Sequence, residues 1–164
     1  MINTPNKMWF AQIATIATEY FTAEIEKNPR FLQWFYASVE VRSGFEPRYS
    51  DEQKRNGLFA LSMPIFDEMK RRLQINGKIS PHDPIANIRA GIAYLRWLFD
   101  RYETAVPDID ERIKCALFAL DAGYFHVKFA LEKCAKPATF AQLVILVRCD
   151  DKAEKVREII KFMQ

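Results

Sequence analysis

Apolar residues recur at helical spacing along almost the whole chain, and the gaps between the runs carry helix start and stop signals. Met8, Trp9, Ile13, Ile16, Tyr20 and Phe21 favour one face, which predicts a first helix from a Thr4-Pro5 cap to about Lys27. Asn28-Pro29 closes it and starts a second helix, to about Val41. Phe31, Leu32, Phe35, Val39 and their neighbours make that helix apolar on more than one side, which predicts a central position. A polar stretch from Ser43 to Asn56 follows. It contains Gly44, Pro47 and several charges, and its length reads as a functional loop or a disordered one. Pro64 opens a third helix, to about Leu73, and Asn76-Gly77 and Ser80-Pro81 mark the turns after it.

The most regular helix opens at Asp83-Pro84, with Asp83 placed to cap it and Pro84 at its first position. Ile85, Ile88, Ile92, Leu95, Phe99 and Tyr102 then recur at steps of three and four, an amphipathic stripe that ends before Pro107. Further helices are predicted from near Asp108 through Ala119, after Gly123 to near Lys136, from Pro137 to about Arg148, and from Asp150 to the end. In the last, Val156, Ile159, Ile160 and Met163 face inward. The run Leu143 to Val147 has the composition of a strand, but its helical neighbours favour helix. The expectation is an all-α fold of about seven to eight helices. With no repeat, low-complexity tract or linker, residues 1–164 read as a single domain.

Composition narrows the function classes. An apolar fraction of 49% and a charged fraction of 27% are those of a soluble globular domain able to bury a core without disulfides or a structural metal. Thirteen Phe, six Tyr and three Trp enrich that core in rings or leave some to line a groove. Cys115, Cys134 and Cys149 are odd in number and match no zinc spacing. Cys115 and Cys134 fall on apolar helix faces as small core residues. The net charge of +3 is mild. Its densest basic cluster, Lys70-Arg71-Arg72, sits where cations suit a helix C-terminus, so no nucleic-acid partner is expected. No window is apolar enough for a membrane span. The N-terminus lacks the pattern of a secretory signal, which suggests a protein that stays cytoplasmic in the producing cell or is carried in a phage virion. His82 and His126 lie far apart with no ligand spacing around them. No metal, cofactor, nucleophilic triad or phosphate loop is expected.

Four segments carry a more specific signal. They read Arg42-Ser43-Gly44-Phe45-Glu46-Pro47; Gly57-Leu58-Phe59-Ala60-Leu61 with Met63-Pro64; Asp83-Pro84 through Asn87-Ile88-Arg89-Ala90-Gly91 to Tyr94-Leu95; and Ala119-Leu120-Asp121-Ala122-Gly123. In order and spacing, over about residues 31–127, they resemble the lytic transglycosylase and goose-type lysozyme family. That resemblance implies a lysozyme-like lytic transglycosylase domain acting on peptidoglycan. It also implies a general-acid glutamate directly before Ser-Gly-Phe, and a binding groove that here comprises Arg42, Ser43, Phe59, Ala60, Leu120, Asp121 and Tyr124. The matching positions, Gly57, Asp83, Pro84, Asn87, Gly91 and Leu95, are structural in character. Gly57 suits a turn of positive φ, and Gly91 suits close approach of two backbones.

The departures fall on the chemistry. Arg42 stands in the glutamate's position, and a guanidinium stays charged and cannot shuttle a proton. Ala60 replaces the family's Gln, Leu120 its Tyr and Asp121 its Asn. The expectation is therefore a catalytically inactive relative acting as a binding or structural module. Its partner would be a protein or peptidoglycan glycan, in a phage or secretion-system setting. An ion pair between Arg42 and Asp121 would seal the former active site. Trp34, Phe35, Tyr36, Tyr124 and Phe125 are rings that would line a retained groove. The alternative is an active, murein-cleaving enzyme with a displaced acid. Glu40 lies about 200° around the helix from Arg42 and points away, which leaves Glu46, in the loop after the helix, as the candidate.

Overall fold

Capping residues and apolar periodicity set most of the element boundaries. The structure, a computed structural model, describes residues 4–164, with side chains from Met8 onward. Among them are nine α-helices, one more than the upper expectation, and one small antiparallel pair of strands. The chain divides into two compact units, one made of Met1–Tyr94 with Met163, the other of Leu95–Phe162 with Gln164.

In the first unit, α1 (Thr4–Tyr20) and α2 (Thr22–Lys27) replace the single helix expected there. The break is at Phe21, whose ψ of 38° leaves the helical well. Its ring is fully buried between Phe31 and Phe35, with centroids 5.6 and 5.0 Å away, so burial of one aromatic side chain overrides helix continuity. The Thr4-Pro5 cap lies outside the described side chains. Pro29–Phe31 form a 3-10 turn, with the Asn28 side chain accepting from the Arg30 N–H, and α3 (Leu32–Ser43) follows. Trp34, Phe35, Ala37, Ser38 and Val39 of α3 are buried, and the helix packs on α1 as a central element should. Met8, expected on the inner face of α1, is instead 60% exposed.

The stretch after α3 is not disordered. It leads into β1 (Arg55–Asn56), which pairs with β2 (Leu61–Ser62) in the register Arg55↔Ser62 and Asn56↔Leu61. The purely helical expectation missed this hairpin because neither strand is long enough to show a period of two. α4 (Met63–Arg72) ends in the Lys70-Arg71-Arg72 cluster, where Arg71 and Arg72 both pair with Glu68. The Asp83 carboxylate accepts the Ala86 N–H at 2.8 Å and starts α5 (Pro84–Arg101), as expected. Ile88 and Ile92 of its stripe are fully buried, but Ile85, in the first turn, is 40% exposed.

The second unit holds the rest of α5, where Leu95 and Phe99 continue inward, and Tyr102, just past its end, is also buried. Asp108 caps α6 (Ile109–Ala122) by accepting the Glu111 N–H. Cys115 through Ala119 of α6 are all 0% exposed, so this helix is buried on every side, against α7 (Tyr124–Lys133) and α8 (Phe140–Val147). α8 starts three residues after Pro137, because Thr139 and Gln142 form a capping box that Pro137 cannot supply. Leu143 to Val147 are helical. α9 (Asp150–Met163) buries Ala153, Val156 and Ile159. All three cysteines are free, and burial pushes the Cys115 thiol up to about 12.

Candidate functional site

The site residues are divided between the two units. α3 ends in the first unit at Arg42-Ser43. Gly44 follows with φ of 59°, and its N–H closes the helix on the Glu40 carbonyl at 2.9 Å. This left-handed stop turns the chain away directly after Arg42. Arg42 is 2% exposed and among the largest fully buried side chains described. Its charge is felt by Tyr49. Burial and the neighbouring Asp51 carboxylate raise the Tyr49 phenol, while Arg55 and Arg42 act in the opposite direction. The Ser43 hydroxyl lies 2.8 Å from the Leu58 carbonyl and 3.0 Å from that of Val39, tying the helix end to the hairpin segment.

That segment is buried throughout: Leu58, Phe59, Ala60 and Leu61 are each at most 2% exposed. Gly57 has φ of 74°, the conformation expected for it, and Ala60 adopts φ of 47° inside the hairpin. Asn87 holds the arrangement. Its carboxamide oxygen accepts the Phe59 N–H at 2.7 Å, and its nitrogen donates to the carbonyls of Asn56 at 3.0 Å and Pro81 at 2.8 Å. A side chain on Gly57 would meet the Asn87 amide nitrogen at 2.3 Å. At Gly91 the close approach is not between backbones, as expected, but to a ring. A Cβ there would lie 2.4 Å from Phe59 Cγ. The sequence marks both glycines, but it does not show that Asn87 ties the hairpin to the turn at Pro81 or that Phe59 fills the space Gly91 leaves.

Glu46 is exposed in the loop after α3, and its carboxylate accepts the Arg48 N–H at 2.9 Å. Glu40 is half-buried. Further along, the loop is ordered by Asp51, which accepts both the backbone N–H and the Nε of Arg55 at 2.9 Å. His82 places Nδ1 3.3 Å from the Pro47 carbonyl, a contact that joins two turns. Trp34 and Phe35 belong to the core, and the Tyr36 hydroxyl donates to the Phe10 carbonyl.

In the second unit, Leu120 and Asp121 lie in the last turn of α6. Leu120 is 6% exposed. The Asp121 side chain is fully buried, with a carboxylate oxygen 4.0 Å from Lys155 Nζ on α9. Gly123, at φ of 92°, separates α6 from α7. Tyr124 then packs edge-on against Trp97 at 4.8 Å and nearly parallel to Tyr102 at 6.3 Å. His126 directs Nδ1 to the Ala122 carbonyl at 3.0 Å. Among the described residues, no group of three or more His, Cys, Asp and Glu is placed to hold a metal ion, and no helix is long and apolar enough to cross a membrane.

The profile of one protein family, the transglycosylase SLT domain, matches residues 19–142. No curated protein matches the chain significantly. Among solved structures, an inactive mutant of the lytic transglycosylase Slt from Pseudomonas aeruginosa superposes with a TM-score of 0.71 at 20% identity, over 93% of this chain and 23% of that one. The 70 kDa soluble lytic transglycosylase from Escherichia coli superposes with a TM-score of 0.68 at 17% identity, over 92% of this chain and 23% of that one. The fold is therefore the lysozyme-like lytic transglycosylase fold, and the chain spans less than a quarter of the length of these two enzymes.

Proposed function

The chain belongs to the transglycosylase SLT domain family, and on that premise we propose that it is a member without glycan-cleaving activity, serving as a binding or structural module. The observation that carries this reading is the burial of Arg42, at 2% exposure, in the position that the resemblance assigns to the general-acid glutamate. Glycosidic cleavage of this kind needs a carboxyl that gives a proton to the leaving oxygen and later takes one back. A guanidinium is a fixed cation with five donors and no exchangeable role at working pH. Its charge also opposes an oxocarbenium-like centre forming beside it.

Two further features support the reading. Ala60 and Leu120 present only apolar side chains where the resemblance expects an amide and a phenol. Glu46, the candidate for a displaced acid, is exposed and tied to its own loop through the Arg48 N–H, whereas a carboxyl recruited as a proton donor is held in a secluded, water-poor pocket. The partner is peptidoglycan glycan or another protein, and a phage or secretion-system setting would supply either.

Release of soluble muropeptides from purified sacculi tests the proposal. No release above buffer is expected from the chain as it stands. Release that disappears in Glu46→Gln would establish the competing reading, an active enzyme with a displaced acid. Co-sedimentation with insoluble peptidoglycan then separates the two kinds of partner: retention in the pellet favours glycan, and loss favours protein.

A further inference from the structure

In the second unit a cavity of about 190 Å³ lies between the end of α5, the connection after it and α7. Tyr102 and Leu131, both buried, line its floor. Arg101, Lys128 and Lys136 bring three cations to its wall, against the single acid Glu132. Two of these cations are positioned by contacts in the structure. The Arg101 guanidinium lies 3.9 Å from the Trp97 ring centroid. Lys136 Nζ donates to the Leu131 carbonyl at 2.7 Å, which uses one of an ammonium's three donors.

Lys128 connects this cavity to a second feature. Its ammonium lies 5.9 Å from the ring centroid of Phe129, which is 55% exposed. Phe125, one helical turn earlier on α7, is 64% exposed. The two rings lie 6.3 Å apart at an interplanar angle of 27°, forming one apolar ridge on the solvent side of the helix. A phenyl ring has no polar handle, so such a ridge gains nothing from water. A basic cavity bordered by exposed rings matches the chemistry of an anionic amphiphile.

We propose that this face of α7 docks on the surface of an anionic phospholipid bilayer. One lipid phosphate enters the cavity among Arg101, Lys128 and Lys136, while Phe125 and Phe129 enter the acyl boundary. The cavity suits one head group rather than a polymer. A nucleic acid would call for a basic face broader than three residues. The attachment is peripheral and needs no membrane-crossing helix. It does not depend on whether the chain cleaves glycan.

Co-sedimentation of the full chain at low salt with vesicles of phosphatidylglycerol, and separately of phosphatidylcholine, tests the proposal. Binding to phosphatidylglycerol alone is expected, with loss at high salt. Lys128→Glu is expected to weaken it by about tenfold, and Phe125→Ser with Phe129→Ser to weaken it comparably. All of these side chains are exposed, and circular dichroism checks that the variants fold. Lys78→Glu, the same charge change on an exposed turn of the first unit, is the control. The proposal is overturned by equal binding to both vesicle types, by no binding, or by a Lys78→Glu loss equal to that of Lys128→Glu. It is also overturned if inorganic phosphate displaces the chain while the double serine variant binds vesicles normally, since the cavity would then take free phosphate.

Discussion

Asn87 and Arg42 are both buried polar side chains of the first unit, and they stand in regions that compare differently with the family pattern the sequence resembles. Around Asn87 the positions that resemble the family, Asp83, Pro84, Gly91 and Leu95, are structural in character, and the geometry at Asn87 shows what such residues do. One carboxamide satisfies a donor and an acceptor of the hairpin and an acceptor of the turn before α5, and Gly57 and Gly91 leave room for it and for Phe59. The end of α3 carries the Ser-Gly-Phe turn, with a guanidinium, Arg42, at the position where the resemblance implies a carboxyl. The turn itself is held by the Ser43 hydroxyl on the Leu58 carbonyl and by the left-handed Gly44.

The sharpest way to break this comparison is Asn87→Ala. It strands the buried Phe59 N–H and removes a donor from two carbonyls, and should cost about 3–4 kcal/mol in urea unfolding. A loss below about 1 kcal/mol would show that the three bonds are incidental. Gly91→Ala comes next, at about 2–3 kcal/mol, because its Cβ must displace a fully buried ring. In an unobstructed helix the same change would stabilise by up to about 1 kcal/mol, so the sign alone decides. Ser43→Ala, beside Arg42 on the other side of the comparison, removes one hydroxyl between two carbonyls and should cost about 1 kcal/mol, with the helix content retained by circular dichroism.

The smallest effect is electrostatic. The hydrogen bond from Arg89 holds the Glu19 carboxyl below the usual carboxylate range. A folded pKa lower than the unfolded value of about 4.3 contributes stability above that value, and the contribution is lost as pH falls through the depressed one. Both side chains are partly exposed, at 33% and 46%, so solvent screening limits the pair to a few tenths of a kcal/mol. The stability difference between the parent chain and Glu19→Gln should therefore shrink between pH 6 and pH 3. A difference that stays constant would remove the ion pair as its source.

Much of the fold was legible before the structure. Asp83 and Asp108 start their helices as capping predicts, and Gly57 takes the positive φ its place in the motif suggests. The family, too, could be recognised from four short segments, because each is a local pattern with its own backbone requirement. What could not be read were the consequences of contact at a distance. The break at Phe21, the hairpin of β1 and β2 and the start of α8 at Phe140 rather than Pro137 follow from ring burial, strand pairing and a capping box.

For the candidate site, the sequence by itself determined which chemical groups are present: a guanidinium at position 42, apolar side chains at 60 and 120, a carboxylate at 121. Only the tertiary structure decided that Arg42 is buried at a helix end, that Asp121 is enclosed near Lys155, that Glu46 is exposed, and that Phe59 occupies the space beside Gly91. The reason is that a residue's chemistry is written in one letter. Its solvation and its partners depend on segments tens of residues away, which no local spacing records.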